Sequence, residues 1–234
     1  MARHIGIVAC SAEGAALCYR TICAEAPALM GKHMHPEITM HTFPLATYME
    51  YVYRDDWDGV AELMLASAAK LKGCGAEFLI SPDNTIHQAM PEVLKKSPLP
   101  WLHIAQEVAT EATRRGFKRL AITGTKSLME GPVYPEALDR AGIEHRLPSP
   151  LDRGRIDKII FDELVNGNFR SESLGFFRTI IDRMKAEGCD AVVLGCTEIP
   201  LLVTPENSPL PTLDSTRLLA RAALLKALDK AGGV

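Results

Sequence analysis

One unit occurs twice in this chain of 234 residues, and it constrains the fold more than any bulk property does. The first half contains LISPDNTIHQAMPEVLKKSPLPWLHI and the second contains VVLGCTEIPLLVTPENSPLPTLDST. Each reads as an apolar strand, a polar turn (Asn84-Thr85 or Thr197-Glu198), a short helix, the tetrapeptide SPLP (97–100 or 208–211) and a further strand. Asp83 precedes its SPLP serine by 14 residues and Cys196 precedes its own by 12. Duplicated α/β halves packed about a pseudo-twofold axis set equivalent strand ends across a cleft, with Asp83 and Cys196 opposed. The alternative is that SPLP is only a Pro-rich turn of a common kind and the halves are unrelated.

The rest of the chain alternates in the same way. Strands are predicted at 4–10, 37–43, 76–82, 119–124 and 191–196, with weaker ones near 101–104, 144–147 and 211–213. Several lack polar alternation, as strands covered on both faces do. Helical patterns fall at about 13–30, 55–72, 85–96, 105–116, 133–141, 153–166, 171–187 and 215–231. This βαβα order predicts an α/β fold with parallel sheets and right-handed crossovers.

Composition excludes several classes. The formal charge is -3 and the Lys and Arg residues are scattered, so the footprint of a nucleic-acid binder is missing. The N-terminus carries no secretory signal pattern, and no apolar run approaches 18 residues, which predicts a soluble, cytoplasmic protein without a membrane span. The six cysteines form no CxxC pair and no zinc spacing. His33 and His35 in KHMHPE lack a third partner for a metal, so no metal is expected. No P-loop, GxGxxG turn or pyridoxal site is visible, and no cofactor is called for.

The chemistry gathers at the two repeated turns. In VVLGCTEIP, Gly195 allows a sharp turn, Cys196 follows at the mouth of a buried strand, and a short helix opens at Thr197 and Glu198. Helix N–H groups lower the pKa of a nearby thiol. A buried structural cysteine is the plainer reading. In LISPDNTIH, Asp83 stands at a strand exit followed by Asn84 and Thr85, a turn suited to holding a carboxylate or an enolate-like oxyanion. The plainer reading there is a helix N-cap. An acid-base group on each of two opposed turns can move a proton at a carbon centre, one taking it and the other returning it on the opposite face.

These residues resemble the aspartate/glutamate racemase superfamily. GCTEIPLL (195–202) is similar to that family's second catalytic cysteine loop, and DNTIH (83–87) stands where its first loop usually reads CNTAH. GIVACSAEGAALCYR (6–20), ITGTKSLMEGPVY (122–134) and LDSTRLLA (213–220) resemble further family segments. The resemblance implies two pseudo-symmetric α/β domains, residues 1–100 with 212–234 and residues 101–211, with the active site in the cleft between them. It implies a cofactor-independent racemase of a small carboxylate, and a homodimer. Carried over residue by residue, Cys196 matches the second catalytic cysteine, and Ser11, Asn84, Thr85, Thr125 and Thr197 match substrate-holding positions. Asp83 departs from the family by replacing the first catalytic cysteine.

At pH 7 the reference pKa values of about 3.9 for Asp and about 8.5 for Cys make this pair a carboxylate facing a neutral thiol. Abstraction by Asp83 and delivery by Cys196 is then the favoured direction. The expected function is a racemase or epimerase of an amino acid or related carboxylate. The alternatives are a single-cysteine decarboxylase or cis-trans isomerase of a dicarboxylate, or a carboxylate-binding protein without turnover. His87 and His103 lie near the first turn, Glu13 and Glu198 are candidates to brace the loops, and Arg20, Arg54 and Lys126 are candidate cations for substrate.

Overall fold

The computed structural model describes residues 2–229, which separate into two compact units, 2–104 with 216–229 and 105–215.

In the first unit, β1 (Ile5–Ala9), β2 (Ile38–Thr42) and β3 (Phe78–Ile80) form a parallel sheet in the order β2-β1-β3. All residues of β1 and β3 are buried, which is why IGIVA and FLI are apolar without alternation. The pleat sends Ile5, Ile7, Phe78 and Ile80 to one face, where Cys18 and Ile22 of helix Ala12–Glu25 cover them. Helix Ser215–Leu228 joins that cover through Leu219, Ala223 and Leu224. Val8 and Leu79 point the other way, onto Tyr48 of helix Leu45–Val52, Met64 of helix Trp57–Gly73 and Val93 of helix Met90–Lys96. The helix after β1 and the helices after β3 therefore lie on opposite faces. The exits of β1 and β3 form a topological switch point, where open α/β sheets bind ligands.

In the second unit, β4 (Arg119–Thr123), β5 (Glu144–Arg146), β6 (Ala191–Leu194) and β7 (Thr212–Asp214) form a parallel sheet ordered β5-β4-β6-β7. The order reverses between β4 and β6, whose exits carry Thr125 and Cys196. Ala121, Val192 and Leu194 pack under Ile156, Ile160, Phe177 and Ile181 of helices Pro150–Asp162 and Ser171–Ala186.

The duplication holds at the level of hydrogen bonds. Leu79 N donates to Pro100 O at 2.8 Å and Val192 N donates to Pro211 O at 2.9 Å, so each SPLP proline seats its following segment beside the strand before it. Within the tetrapeptides, Ser97 Oγ donates to Leu99 O (2.8 Å) and Ser208 Oγ donates to Leu210 O (2.7 Å). In the first unit the strand after SPLP shrinks to a single bridge, Leu79 to Trp101. In the second it becomes β7, so residues 212–214, assigned above to the first domain, belong to the second sheet, and the chain crosses back at 215–216. A strand pairs where a neighbour offers its ladder, and the ladder of β6 extends that far.

Candidate functional site

The two repeated turns occupy equivalent places. Asp83 lies four residues beyond Leu79 and Cys196 four beyond Val192, the two strand residues anchored by the SPLP prolines. Both are half-buried, and each leaves a strand flanking its sheet's switch point. The first exits of each sheet are also alike. Ser11 Oγ accepts from Gly14 N (3.3 Å) and Thr125 Oγ1 accepts from Leu128 N (3.2 Å), so both candidate substrate-holding hydroxyls are helix N-caps.

Around Asp83, Ser81, Asn84 and His87 are buried and Thr85 is half-buried. Asp83 Oδ1 accepts from Ile86 N at a long 3.3 Å. The backbone is held more firmly. His87 Nδ1 donates to the Asp83 carbonyl at 2.7 Å, and Ile104 N donates to His87 Nε2 at 3.3 Å. Burial first, then neighbouring His103, drives the His87 pKa well below its usual value, against the opposing bond to Asp83 O. A neutral ring with its proton on Nδ1 fits both bonds, so His87 is a clasp that fixes the turn carrying Asp83.

Around Cys196 the arrangement differs from the one expected. The helix that follows, Ile199–Leu202, is a single turn, and the thiol meets a carboxylate. Cys196 Sγ donates to Glu198 Oε2 at 2.9 Å, and Thr197 Oγ1 donates to the same oxygen at 2.7 Å. Glu198 is 3% exposed. A thiolate here would adjoin a carboxylate, so the site favours the protonated thiol. Gly195 also serves by a route other than a positive φ. Its N–H donates to Thr123 O (2.8 Å), and a Cβ on it would lie 2.7 Å from that oxygen and 2.6 Å from Leu128 Cδ2.

The remaining candidates sit apart from these contacts. Glu13, Arg20, His33 and His35 are exposed. Arg54 is exposed and donates to Glu50 O at 2.9 Å, and the backbone N–H of Lys126 donates to Asp157 Oδ1 at 2.7 Å. Trp101 Nε1 donates to Ser97 Oγ (2.7 Å) and its ring packs, with Trp57, against the first unit's core. Among the described residues, no three His, Cys, Asp or Glu side chains cluster as a metal would need, and no helix is long and apolar enough to cross a membrane.

Sequence reasoning missed Tyr48, which is fully buried on the helix following β2. The signal was present: Leu45, Tyr48, Met49 and Val52 have i, i+3, i+4, i+7 spacing.

Two doubly wound α/β units with matching turns define a two-domain α/β class. The profile of the Asp/Glu/Hydantoin racemase family matches residues 5–223, and the chain belongs to that family. It is 22% identical over 190 residues to the broad specificity amino-acid racemase RacX of Bacillus subtilis (strain 168), covering 81% of each chain. The crystal structure of a candidate Asp/Glu racemase from Yersinia pestis superposes with a TM-score of 0.89 at 30% identity, over 97% of this chain and 100% of that one. The structure of an aspartate racemase homologue from Pyrococcus horikoshii OT3 gives a TM-score of 0.84 at 26% identity, over 97% and 99%. Glutamate racemases are matched over 48% to 65% of their own length. The named relatives are racemases, a class of isomerase.

Proposed function

We propose that this protein is a racemase or epimerase of an amino acid or related small carboxylate, with Asp83 and Cys196 as its two proton carriers and no cofactor. The observation that carries the reading is the equivalence of the two residues: each stands four positions past the strand residue held by an SPLP proline. The Asp83 carboxylate takes the α-proton from one face of the substrate, and the Cys196 thiol delivers a proton to the other. Glu198 supports that assignment by accepting the thiol hydrogen at 2.9 Å, which keeps Cys196 loaded as the acid. Ser11, Thr125, Asn84 and Thr85 supply donors of the kind a substrate carboxylate and a developing enolate need. Thr197 gives its hydrogen to Glu198, so its oxygen is an acceptor suited to an ammonium group. Turnover in the reverse sense passes through the swapped protonation state, neutral Asp83 and thiolate Cys196. That state sets a thiolate beside Glu198, so the two directions differ in kcat with a compensating difference in KM, kcat/KM being equal because the equilibrium constant is unity.

Incubation of each enantiomer of a panel of amino acids in deuterated water tests this. Cys196→Ser abolishes incorporation of deuterium with inversion at the α-carbon; retained inversion overturns the reading. A carboxylate at position 83, where the resemblance puts the family's first catalytic cysteine, favours one further possibility, a single-thiol decarboxylase or cis-trans isomerase. Release of carbon dioxide, or conversion of maleate to fumarate, in place of racemisation would identify it.

A further inference from the structure

In the second unit, two cations without an acidic partner line a cavity that also holds a fixed carboxylate. Arg155, Lys158, Ile159 and Asp162 fall at i, i+3, i+4 and i+7 on helix Pro150–Asp162 and so share one of its faces. Across from them stand Glu163 and, at the start of helix Ser171–Ala186, residues 170, 172 and 173. Together they bound a cavity of about 260 Å³. Ligand pockets run from about 300 to about 1,000 Å³, so this one is sized for a molecule such as a free amino acid and is small for a nucleotide.

The neighbouring arginines are engaged. Arg153 meets Glu130 at 3.1 Å, and Arg183 meets Asp152 at 3.3 Å. Among the described residues, by contrast, no acidic side chain forms an ion pair with Arg155 or Lys158. The Arg155 guanidinium lies 4.0 Å from the centroid of the Phe176 ring, a contact that holds the group in place without neutralising it. Lys158 stands one helical turn further on. A pair of cations so placed is complementary to a carboxylate.

Glu163 supplies the opposite charge. Its main chain is fixed, since its carbonyl accepts from Asn166 N and Asn168 N, both at 3.0 Å. Its Oε2 accepts from the hydroxyl of Ser173, which is buried. Its Oε1 lies 3.8 Å from Arg170 Nη1, beyond hydrogen-bond reach. One carboxylate oxygen is thus tied down while the other can accept from a bound ammonium. Over the whole lining, Arg155, Lys158 and Arg170 balance Asp162, Glu163 and Glu172, so no net positive field favours a phosphate or a dianion. A zwitterion satisfies both walls.

We propose that this cavity binds a free α-amino acid, its carboxylate held by Arg155 and Lys158 and its ammonium by Glu163. None of these three is among the proton carriers or substrate-holding positions named above, and the proposal is independent of the roles given to Asp83 and Cys196.

The test is a methyl NMR titration of the full-length protein carrying carbon-13 at the isoleucine δ1 positions, with Ile159 assigned by the signal lost in Ile159→Val. Each enantiomer of alanine, serine, glutamate and lysine is added to about 10 mM, a range that fills even weak small-molecule sites. At least one of them shifts the Ile159 methyl saturably. In the double variant Arg155→Gln, Lys158→Gln its Kd rises about tenfold or more. In wild type, the analogue of that amino acid lacking the ammonium, propionate for alanine or glutarate for glutamate, binds about tenfold more weakly or worse. No saturable shift with any of the amino acids, a Kd unchanged in the double variant, or an analogue that binds as tightly as its parent overturns the proposal. Should the double variant fail to fold, exposed Lys158 alone is changed to Gln, and an unchanged Kd overturns the proposal in the same way.

Discussion

Glu198→Gln should make Cys196 easier to ionise, and the size of the effect follows from the geometry. The thiol sulfur lies 2.9 Å from a carboxylate oxygen. Between unit charges at that separation, Coulomb repulsion is about 1.4 kcal/mol at a dielectric of ~80 and about 5.7 kcal/mol at ~20. Cys196 is half-buried, so the lower part of this range applies. Neutralising Glu198 removes the repulsion, and the glutamine amide can donate to the thiolate. An apparent pKa decrease of about 1–2 units is expected, each unit corresponding to ~1.4 kcal/mol. The assay is the rate of iodoacetamide alkylation against pH, with Cys196 identified by peptide mass spectrometry among the six cysteines. The alkylation midpoint should fall in Glu198→Gln. An unchanged or raised midpoint would refute the argument that Glu198 holds the thiol in its protonated form.

Two further predictions concern the scaffold. Gly195→Ala places a methyl 2.7 Å from the backbone oxygen of Thr123, which side-chain motion cannot relieve, so it should cost about 1–3 kcal/mol in urea denaturation and displace Cys196. Undiminished stability together with full activity would show that this close approach does not position the thiol. His87 is buried and resists protonation, whereas in the unfolded chain it takes up a proton near its usual 6.5. The stability it contributes is therefore fully present above pH 6.5 and lost as pH falls, at up to ~1.4 kcal/mol per pH unit. His87→Asn should flatten the dependence of unfolding free energy on pH between 5 and 6.5, and an unaltered slope would reassign that acid sensitivity.

Much of the fold was legible because its strands are short, buried on both sides and punctuated by turns. IGIVA, FLI and AVVL announce themselves by unbroken apolar runs, and the SPLP repeat marked the duplication before any strand was paired. The helices at 45–52 and 126–130 escaped for physical reasons. The second has only five residues, too few for a helical period, and is marked chiefly by its Thr125 cap. The first carries a clear period, but Pro44 before it and the polar run YRDDW after it make the region read as a loop. Because that helix was missed, Tyr48 was missed with it. Asp83 and Cys196 could be singled out from residue types at strand exits. What the thiol contacts could not: the bond to Glu198 depends on how a four-residue helix turns, and no sequence period reports that. Residues 212–214 went to the wrong sheet because a three-residue strand is assigned by its neighbour's ladder and not by its own sequence.

The central claim, that a carboxylate and a thiol handle the same α-proton position from opposite sides, is tested most directly by a crystal structure with a bound amino acid or a carboxylate analogue of it. The account predicts an α-carbon about 3–4 Å from an Asp83 oxygen on one face and from the Cys196 sulfur on the other. An α-carbon in contact with Cys196 alone, or a ligand bound away from both groups, would contradict it.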